Sequence, residues 1–184
     1  VNRAFVSRQV EKLRPEIAQM THDLIDQFAS HGHVELIRQF AEPIPVSVIA
    51  RMLGVPLELT DNLLDWSHRM VRMYEHAPTK ATELAADEAA KQFSDCLSEL
   101  IAERRQAPRD DLLSHMIATE RKGERLSDDE LISTSVLLLN AGHEATVHQT
   151  GNAVKAILEN GLNPSELFAD AASSEATVEE SLRY

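Results

Sequence analysis

The sequence predicts an all-α protein, and three observations support this prediction. Alanine, leucine and glutamate, which favour helices, dominate the composition. Aromatic residues make up only 4% of the 184 residues. Apolar residues recur at three- and four-residue steps through stretches without proline, the longest of which lies within about residues 127–160. We therefore expect mainly helices, organised on one long central helix, in a single domain over residues 1–184.

Composition excludes several classes of function. The net charge of −12 argues against a nucleic-acid surface, because phosphate binding needs clustered lysine and arginine. No apolar run approaches the roughly 20 residues of a membrane span, so no membrane association is expected. The one cysteine, Cys96, excludes an internal disulfide and a zinc site built on several thiolates. We expect a cytoplasmic protein, and the start at Val1, without methionine or leader, suggests that the chain begins inside a longer one.

The first third of the chain contains residues that typically begin or end helices. Ser7 is expected to cap a helix that runs to the His31-Gly32-His33 stop. Residues 34–37 could form a short strand. Pro43 and Pro45 predict an extended entry to an apolar helix from Val46 to Leu53, which Gly54-Val55-Pro56 closes.

The middle of the chain predicts two helices, at 60–74 and 81–106. Thr60 with Asp61 opens the first helix. The second carries acidic and then basic residues along its expected exposed face, ending at Arg104 and Arg105, as the helix dipole favours. A short helix at 112–117 follows Pro108.

The central helix is bounded by clear signals. Ser127 and Glu130 form a capping box at its start, and Asn160-Gly161 ends it. A short segment through Phe168 and a last helix, at 175–184, complete the chain.

The middle of the central helix is chemically unusual. Glycine at 142 costs about 1 kcal/mol relative to alanine, and a buried carboxylate at 144 is unfavourable unless it is paired. We expect the helix to be mostly buried, with Leu137, Ala141, Ala145 and His148 on one face and Glu144 at the edge of that face. This pattern indicates a hollow where another group approaches the backbone. From the residues alone, the favoured interpretation is a close helix crossing at Ala141 and Gly142, with Glu144 as a solvated side chain.

The histidines near this motif do not predict a metal site. His143 and His148 are five positions apart, whereas a zinc-protease helix needs four, so about 500° of rotation places them on different faces. Di-iron bundles use Glu-x-x-His, but Glu144 and His148 are spaced i and i+4. Phosphate loops, dinucleotide fingerprints and nucleophile elbows are also missing from the sequence.

Three features in order resemble one known family. They are the Pro43/Pro45 to Pro56 segment, the stretch LLLNAGHEATVHQTGNAV at residues 137–154, and Glu180 with Arg183. Together they resemble the bacterial haem-thiolate monooxygenases of the cytochrome P450 family over nearly the whole chain. The resemblance implies the central portion of that domain, hence a partial domain at 1–184. The family's haem-binding cysteine loop and its upstream propionate-binding residues are absent from this sequence.

The resemblance also implies roles for residues of the central helix. The helix would cross the oxygen-binding face of a haem, with Ala141, Gly142 and Ala145 against the cofactor. Leu137 and Asn140 would face substrate, and Met70 and Met73 would be candidate pocket linings. No metal ligand is expected within this chain. Glu180 and Arg183 would form the family's structural pair, buried against a later segment.

The resemblance places catalysis at Glu144, Ala145 and Thr146. Glu144 would belong to a proton-delivery route. Ala145 stands where the family usually has threonine, and a methyl group cannot donate or accept a hydrogen bond. Thr146 is rotated by about 100° and is not expected to replace it, so substrate hydroxyls or ordered water would take that role.

Two hypotheses follow. In the first, the chain is part of a haem-dependent monooxygenase that hydroxylates a small apolar molecule with electrons from a ferredoxin or flavoprotein, and the chain alone is inactive. In the second, it is a truncated or degenerate all-helical relative without haem, with a structural or interaction role and a tendency to form homo-oligomers through exposed apolar surface.

Overall fold

The computed structural model describes residues 7–121 and 124–183, and it confirms the mainly helical class. The helices of the described residues are α1 (Ser7–Phe28), α2 (Pro43–Leu53), α3 (Thr60–Val71), α4 (Lys80–Gln106), α5 (Leu112–Ala118), α6 (Asp128–Glu159), α7 (Pro164–Leu167) and α8 (Ala171–Ser181). Two short strands, β1 (Glu120–Arg121) and β2 (Glu124–Arg125), pair antiparallel between α5 and α6.

The entry to α2 differs from the prediction. Residues 33–35 form no regular element and Ile37–Ala41 is a π-helical turn, so the predicted strand at 34–37 is wrong. The predicted extended entry is also wrong, because α2 begins at Pro43. Proline fits here because amide hydrogens in the first helical turn have no partner within the helix, so their loss costs nothing.

The other boundaries follow the sequence signals closely. The predicted capping box is confirmed: Ser127 Oγ accepts from the Glu130 amide at 3.3 Å, and Glu130 Oε2 accepts from the Ser127 amide at 2.8 Å. The helix predicted to 74 changes to 3₁₀ geometry over Arg72–Tyr74. The last helix begins at Ala171, earlier than predicted, because Asp170 caps it by accepting from the Ser173 amide at 2.8 Å.

The hydrophobic core lies among α2, α3, α4, α5 and the first half of α6. Its fully buried apolar side chains include Leu53, Leu63, Phe93, Leu97, Leu113 and Leu139. Trp66 of α3 packs on Phe93 of α4 with ring centroids 5.4 Å apart. The core thus packs against one side of α6 and so positions the motif in the middle of that helix. None of the described helices combines the length and apolar character needed to cross a lipid bilayer.

A buried ion pair joins three helix ends. Arg104, predicted on the exposed face of its helix, is only 1% exposed, so that prediction is wrong. Its Nε donates to Asp111 Oδ2 at 2.6 Å and its Nη2 donates to the Gly54 carbonyl at 2.6 Å. Asp111 Oδ1 also accepts from the Ser114 amide at 2.7 Å. Burial alone would raise the pKa of Asp111, but the hydrogen bonds from Ser114 and Arg104 outweigh it and lower that pKa.

Candidate functional site

Helix α6 has one buried and one open side. Its buried residues recur every four positions: Leu131, Ser135, Leu139, His143 and Val147. The predicted small-residue face is confirmed on the open side, where Ala141, Ala145 and His148 are exposed, Leu137 is 66% exposed and Glu144 is half-buried. In the described residues α2, α4 and α5 pack on one side of α6, and burial of its other side stays a prediction.

Gly142 permits a close crossing of α6 and α2. A Cβ atom at this position would lie 3.0 Å from Ile49 Cγ1 and 3.2 Å from Ile49 Cδ1. The helix-crossing interpretation is therefore confirmed for Gly142, whereas its predicted contact with a cofactor stays a prediction. Ala141, the preceding residue, is exposed.

Replacing Gly142 with alanine should destabilise the protein by about 1 kcal/mol. Overpacking against Ile49 costs about 1–3 kcal/mol, and the better helix propensity of alanine returns up to about 1 kcal/mol. In an Ile49→Ala background, we expect the same substitution to be neutral or stabilising. A double-mutant cycle from urea unfolding measures this coupling. An equal cost in both backgrounds would mean that Ile49 does not limit position 142.

Two of the three predicted catalytic residues, Ala145 and Thr146, line an apolar groove. Ala145 and Thr146 are exposed and line its start, next to the half-buried Glu144. The groove, of about 540 Å³, runs between α6 and α8 and is lined further along by Gln149, Val154, Ile157, Phe168, Val178 and Leu182. The Gln149 side-chain amide donates to the Ser181 carbonyl and so joins α8 to α6. An apolar molecule in this groove would contact Ala145 and Thr146.

The residues predicted to face substrate point in different directions. Leu137 is open on the small-residue face, but Asn140 is half-buried and its Oδ1 is buried without a hydrogen-bond partner among the described residues. Met70 packs partly against the core, and Met73 is 39% exposed at the end of the same segment. Their contact with a substrate stays a prediction.

Glu180 and Arg183 form the expected pair. Arg183 Nη1 donates to Glu180 Oε2 at 3.0 Å. The side chain of Arg183 is 75% exposed and that of Glu180 is 62% exposed. Their burial against a later segment stays a prediction. In the described structure the pair is a solvated helix salt bridge, which contributes little to stability.

His143 is the residue of this region that sequence reasoning missed. It is 1% exposed, and its Nδ1 lies 2.8 Å from the Leu139 carbonyl oxygen. Because a carbonyl only accepts, Nδ1 carries the hydrogen and Nε2 keeps its lone pair. His148 lies on the exposed side, as the five-residue spacing predicted. The signal for the burial of His143 was its position four residues after Leu139 and four residues before Val147, both of which are buried.

The buried imidazole of His143 predicts a pH-dependent stability. Burial lowers its pKa below 6.5, against the opposing effects of the Leu139 hydrogen bond and the Glu144 charge. Between that lowered value and 6.5 the unfolded chain binds more protons than the folded one, so the free energy of unfolding falls as the pH falls. We expect His143→Phe to reduce this slope in urea titrations. His115→Gln, which changes a half-exposed histidine, is the control and should leave it unchanged.

Searches of curated sequences and of solved structures find the same group of relatives. No family model matches the chain. The chain is 39% identical over 184 residues to cytochrome P450 107B1 of Saccharopolyspora erythraea, covering all of this chain and 44% of that protein.

Solved structures agree with the sequence relatives. The myxobacterial cytochrome P450 CYP267B1, in complex with myristic acid, aligns with a TM-score of 0.85 at 36% identity over 98% of this chain and 44% of its own. P450BioI, in complex with an acyl carrier protein ligated to hexadec-9Z-enoic acid, aligns with a TM-score of 0.89 at 31% identity over 98% of this chain and 46% of its own. The chain thus spans less than half the length of these relatives.

Proposed function

Because this chain belongs to the bacterial cytochromes P450 and represents part of their fold, we propose that the complete protein is a haem-dependent monooxygenase. In this proposal it hydroxylates a small apolar molecule. The observation that carries the proposal is the open side of α6, where exposed small residues lie beside a half-buried carboxylate. A cytoplasmic location is part of the proposal.

The open side of α6 fits one face of a haem. Ala141 and Ala145 present only methyl groups there, so a flat macrocycle can approach the helix closely. Haem supplies oxygen activation when it is bound to such proteins. Cys96 does not fit the role of iron ligand, because it lies on α4 and burial raises the pKa of its thiol. The thiolate would come from the part of the relatives that this chain does not cover.

Glu144 is the acidic residue of the site and can move a proton. It lies at the edge of the open face, half-buried and next to the two exposed residues Ala145 and Thr146. The methyl group of Ala145 cannot make a hydrogen bond. A substrate hydroxyl or an ordered water would therefore supply the hydrogen bond that a threonine makes at this position. The substrate would be apolar, as are the fatty acids in the complexes of CYP267B1 and P450BioI, and electrons would come from a ferredoxin or flavoprotein.

The test of this function is haem binding by the full-length protein. We expect the purified protein to contain one haem and to show the absorption of thiolate-ligated iron after reduction under carbon monoxide. Adding an apolar substrate should expel water from the pocket and shift the absorption spectrum of the oxidised, carbon-monoxide-free protein. A full-length protein that takes up no haem would contradict the proposal.

Restoring threonine at position 145 should change how electrons are used. In full-length protein, Ala145→Thr adds a hydroxyl on the open face, and one added hydrogen bond of about 1 kcal/mol corresponds to a roughly fivefold change. We expect the ratio of product formed to electrons consumed to rise by up to about this factor. Ala153→Thr, which adds the same hydroxyl further along the groove, is the matched control. Equal ratios in wild type and Ala145→Thr would place position 145 outside the proton route.

A second candidate function is a structural role without haem. Several large apolar side chains near the end of the chain are exposed, with Leu158 at 73%, Leu182 at 58% and Val178 at 52%. Such a surface favours association, so we propose homo-oligomers as the alternative. Sedimentation velocity of the haem-free protein distinguishes the monooxygenase from the structural role. An oligomer whose size depends on concentration supports the structural role, and a monomer argues against it.

A further inference from the structure

Two histidines from separate helices lie close together where α3 and α6 approach each other. The ring centroids of His68 on α3 and His143 on α6 are 6.4 Å apart, and the two ring planes are inclined by 52°. The two residues are far apart in the sequence, so no spacing motif could show the pair. Folding alone brings these two imidazoles together.

His143 has the hydrogen bonding of a metal-binding histidine. Its Nδ1–H donates to the Leu139 carbonyl oxygen at 2.8 Å, which fixes the ring and leaves a lone pair on Nε2. Nε2 is buried and has no hydrogen-bond partner among the described residues. Histidines that bind metals typically donate one ring N–H to a carbonyl or carboxylate and bind the ion through the other nitrogen. Because buried polar atoms are nearly always partnered, the free lone pair of His143 indicates a ligand.

The spacing of the two rings suits a shared metal ion. A zinc ion lies about 2.0 Å from each imidazole nitrogen, so two imidazoles on one ion have ring centroids about 5–6 Å apart. The observed 6.4 Å exceeds the middle of this range by about 1 Å. His68 can close this gap by turning, because its side chain is 49% exposed, whereas His143 is held in the core at 1% exposed.

The charge beside the two rings favours a cation. Glu42, which directly precedes α2, has its Oε1 3.9 Å from His68 Nε2, and its side chain is only 17% exposed. Within residues 7–121 and 124–183, no three histidine, cysteine or carboxylate side chains are arranged to hold a metal together. Glu42 therefore acts as a neighbouring charge and not as a ligand, and water would complete the coordination. Imidazole ligands suit zinc, copper and nickel, whereas magnesium and calcium prefer oxygen.

We propose that His68 and His143 form a two-histidine binding site for a divalent transition-metal ion such as Zn²⁺. An ion bound there joins α3 directly to α6, two helices that pack mainly against α2 and α4 and less against each other. The inference goes beyond the proposed function and does not depend on haem. It adds metal ligands to a chain in which the sequence predicted none.

Calorimetric titration of the full-length protein with Zn²⁺ tests this site. We expect His68→Ala to weaken the binding of one Zn²⁺ at least about tenfold, because it removes one of the two protein ligands. His68 is half-exposed, so its replacement is expected to leave the fold intact. His115→Ala is the matched control, because it removes a histidine that is also half-exposed but lies on α5. This variant should bind Zn²⁺ as tightly as the wild type.

A crystal structure of the full-length protein grown with Zn²⁺ locates the ion. We expect an anomalous peak at the zinc absorption edge, about 2.0–2.1 Å from His143 Nε2 and from one ring nitrogen of His68. Equal Zn²⁺ affinity in the wild type and in His68→Ala would overturn the site. An ordered water alone on His143 Nε2 would overturn it too. Neither measurement uses turnover, so a protein without haem would refute the proposed function and still decide the metal site.

Discussion

Replacing Gly54 with alanine is expected to lower the free energy of unfolding by about 4 kcal/mol or more. Gly54 ends α2 with φ of +85°, a conformation that costs an alanine about 1–2 kcal/mol. A Cβ atom would also lie 2.5 Å from Cγ and 2.8 Å from Cβ of Asp111. Moving Asp111 away would leave Arg104 charged and buried without its partner, which typically costs about 3–5 kcal/mol.

The chain offers a matched control for this substitution. Gly161 also has a positive φ, of +60°, but a Cβ there would meet nothing within 4 Å. Urea unfolding followed by circular dichroism should therefore show only the backbone cost of about 1–2 kcal/mol for Gly161→Ala. Equal losses at the two positions would mean that the contact with Asp111 is unimportant.

Replacing Arg104 with leucine is expected to cost about 3–5 kcal/mol. The change leaves Asp111, whose side chain is 5% exposed, without its ionic partner, and it removes the donor to the Gly54 carbonyl. Arg105→Leu is the matched control, because Arg105 pairs with Asp128 at the surface, where the side chains are 46% and 56% exposed. A surface pair contributes about 0–1 kcal/mol. Similar losses for the two variants would contradict the buried-pair interpretation.

The pH dependence of the Arg104→Leu loss gives a second readout. In the wild type the lowered pKa of Asp111 adds stability that is present above 3.8 and is lost as the pH falls through the lowered value. Without Arg104, burial disfavours the carboxylate, and protonation relieves the cost. The difference in stability between wild type and variant should therefore shrink as the pH falls, both above 3.8, where protonation first relieves the variant, and below 3.8, where the wild type loses its contribution. A difference that is constant with pH would show that lost packing, and not charge, causes the effect.

Much of the site could be predicted because its signals are local. The small-residue face of α6 follows from helical periodicity, which needs only residues within a few turns of one another. The family resemblance uses the same local motifs in order. The orientation of Asn140 and the burial of His143 could not be predicted, because each depends on which helices pack against α6. Periodicity shows that a helix has two faces but does not show which partner covers each face.

By itself the sequence determined the helical class, the capping box at Ser127 and Glu130, the turn at Gly54 and the family. Each of these depends on backbone conformation or on side chains close together in the chain. The tertiary structure alone decided that Gly142 meets Ile49 and that Arg104 is buried with Asp111. Those contacts join separate helices, and the burial of an arginine depends on a partner that only folding brings within hydrogen-bond distance.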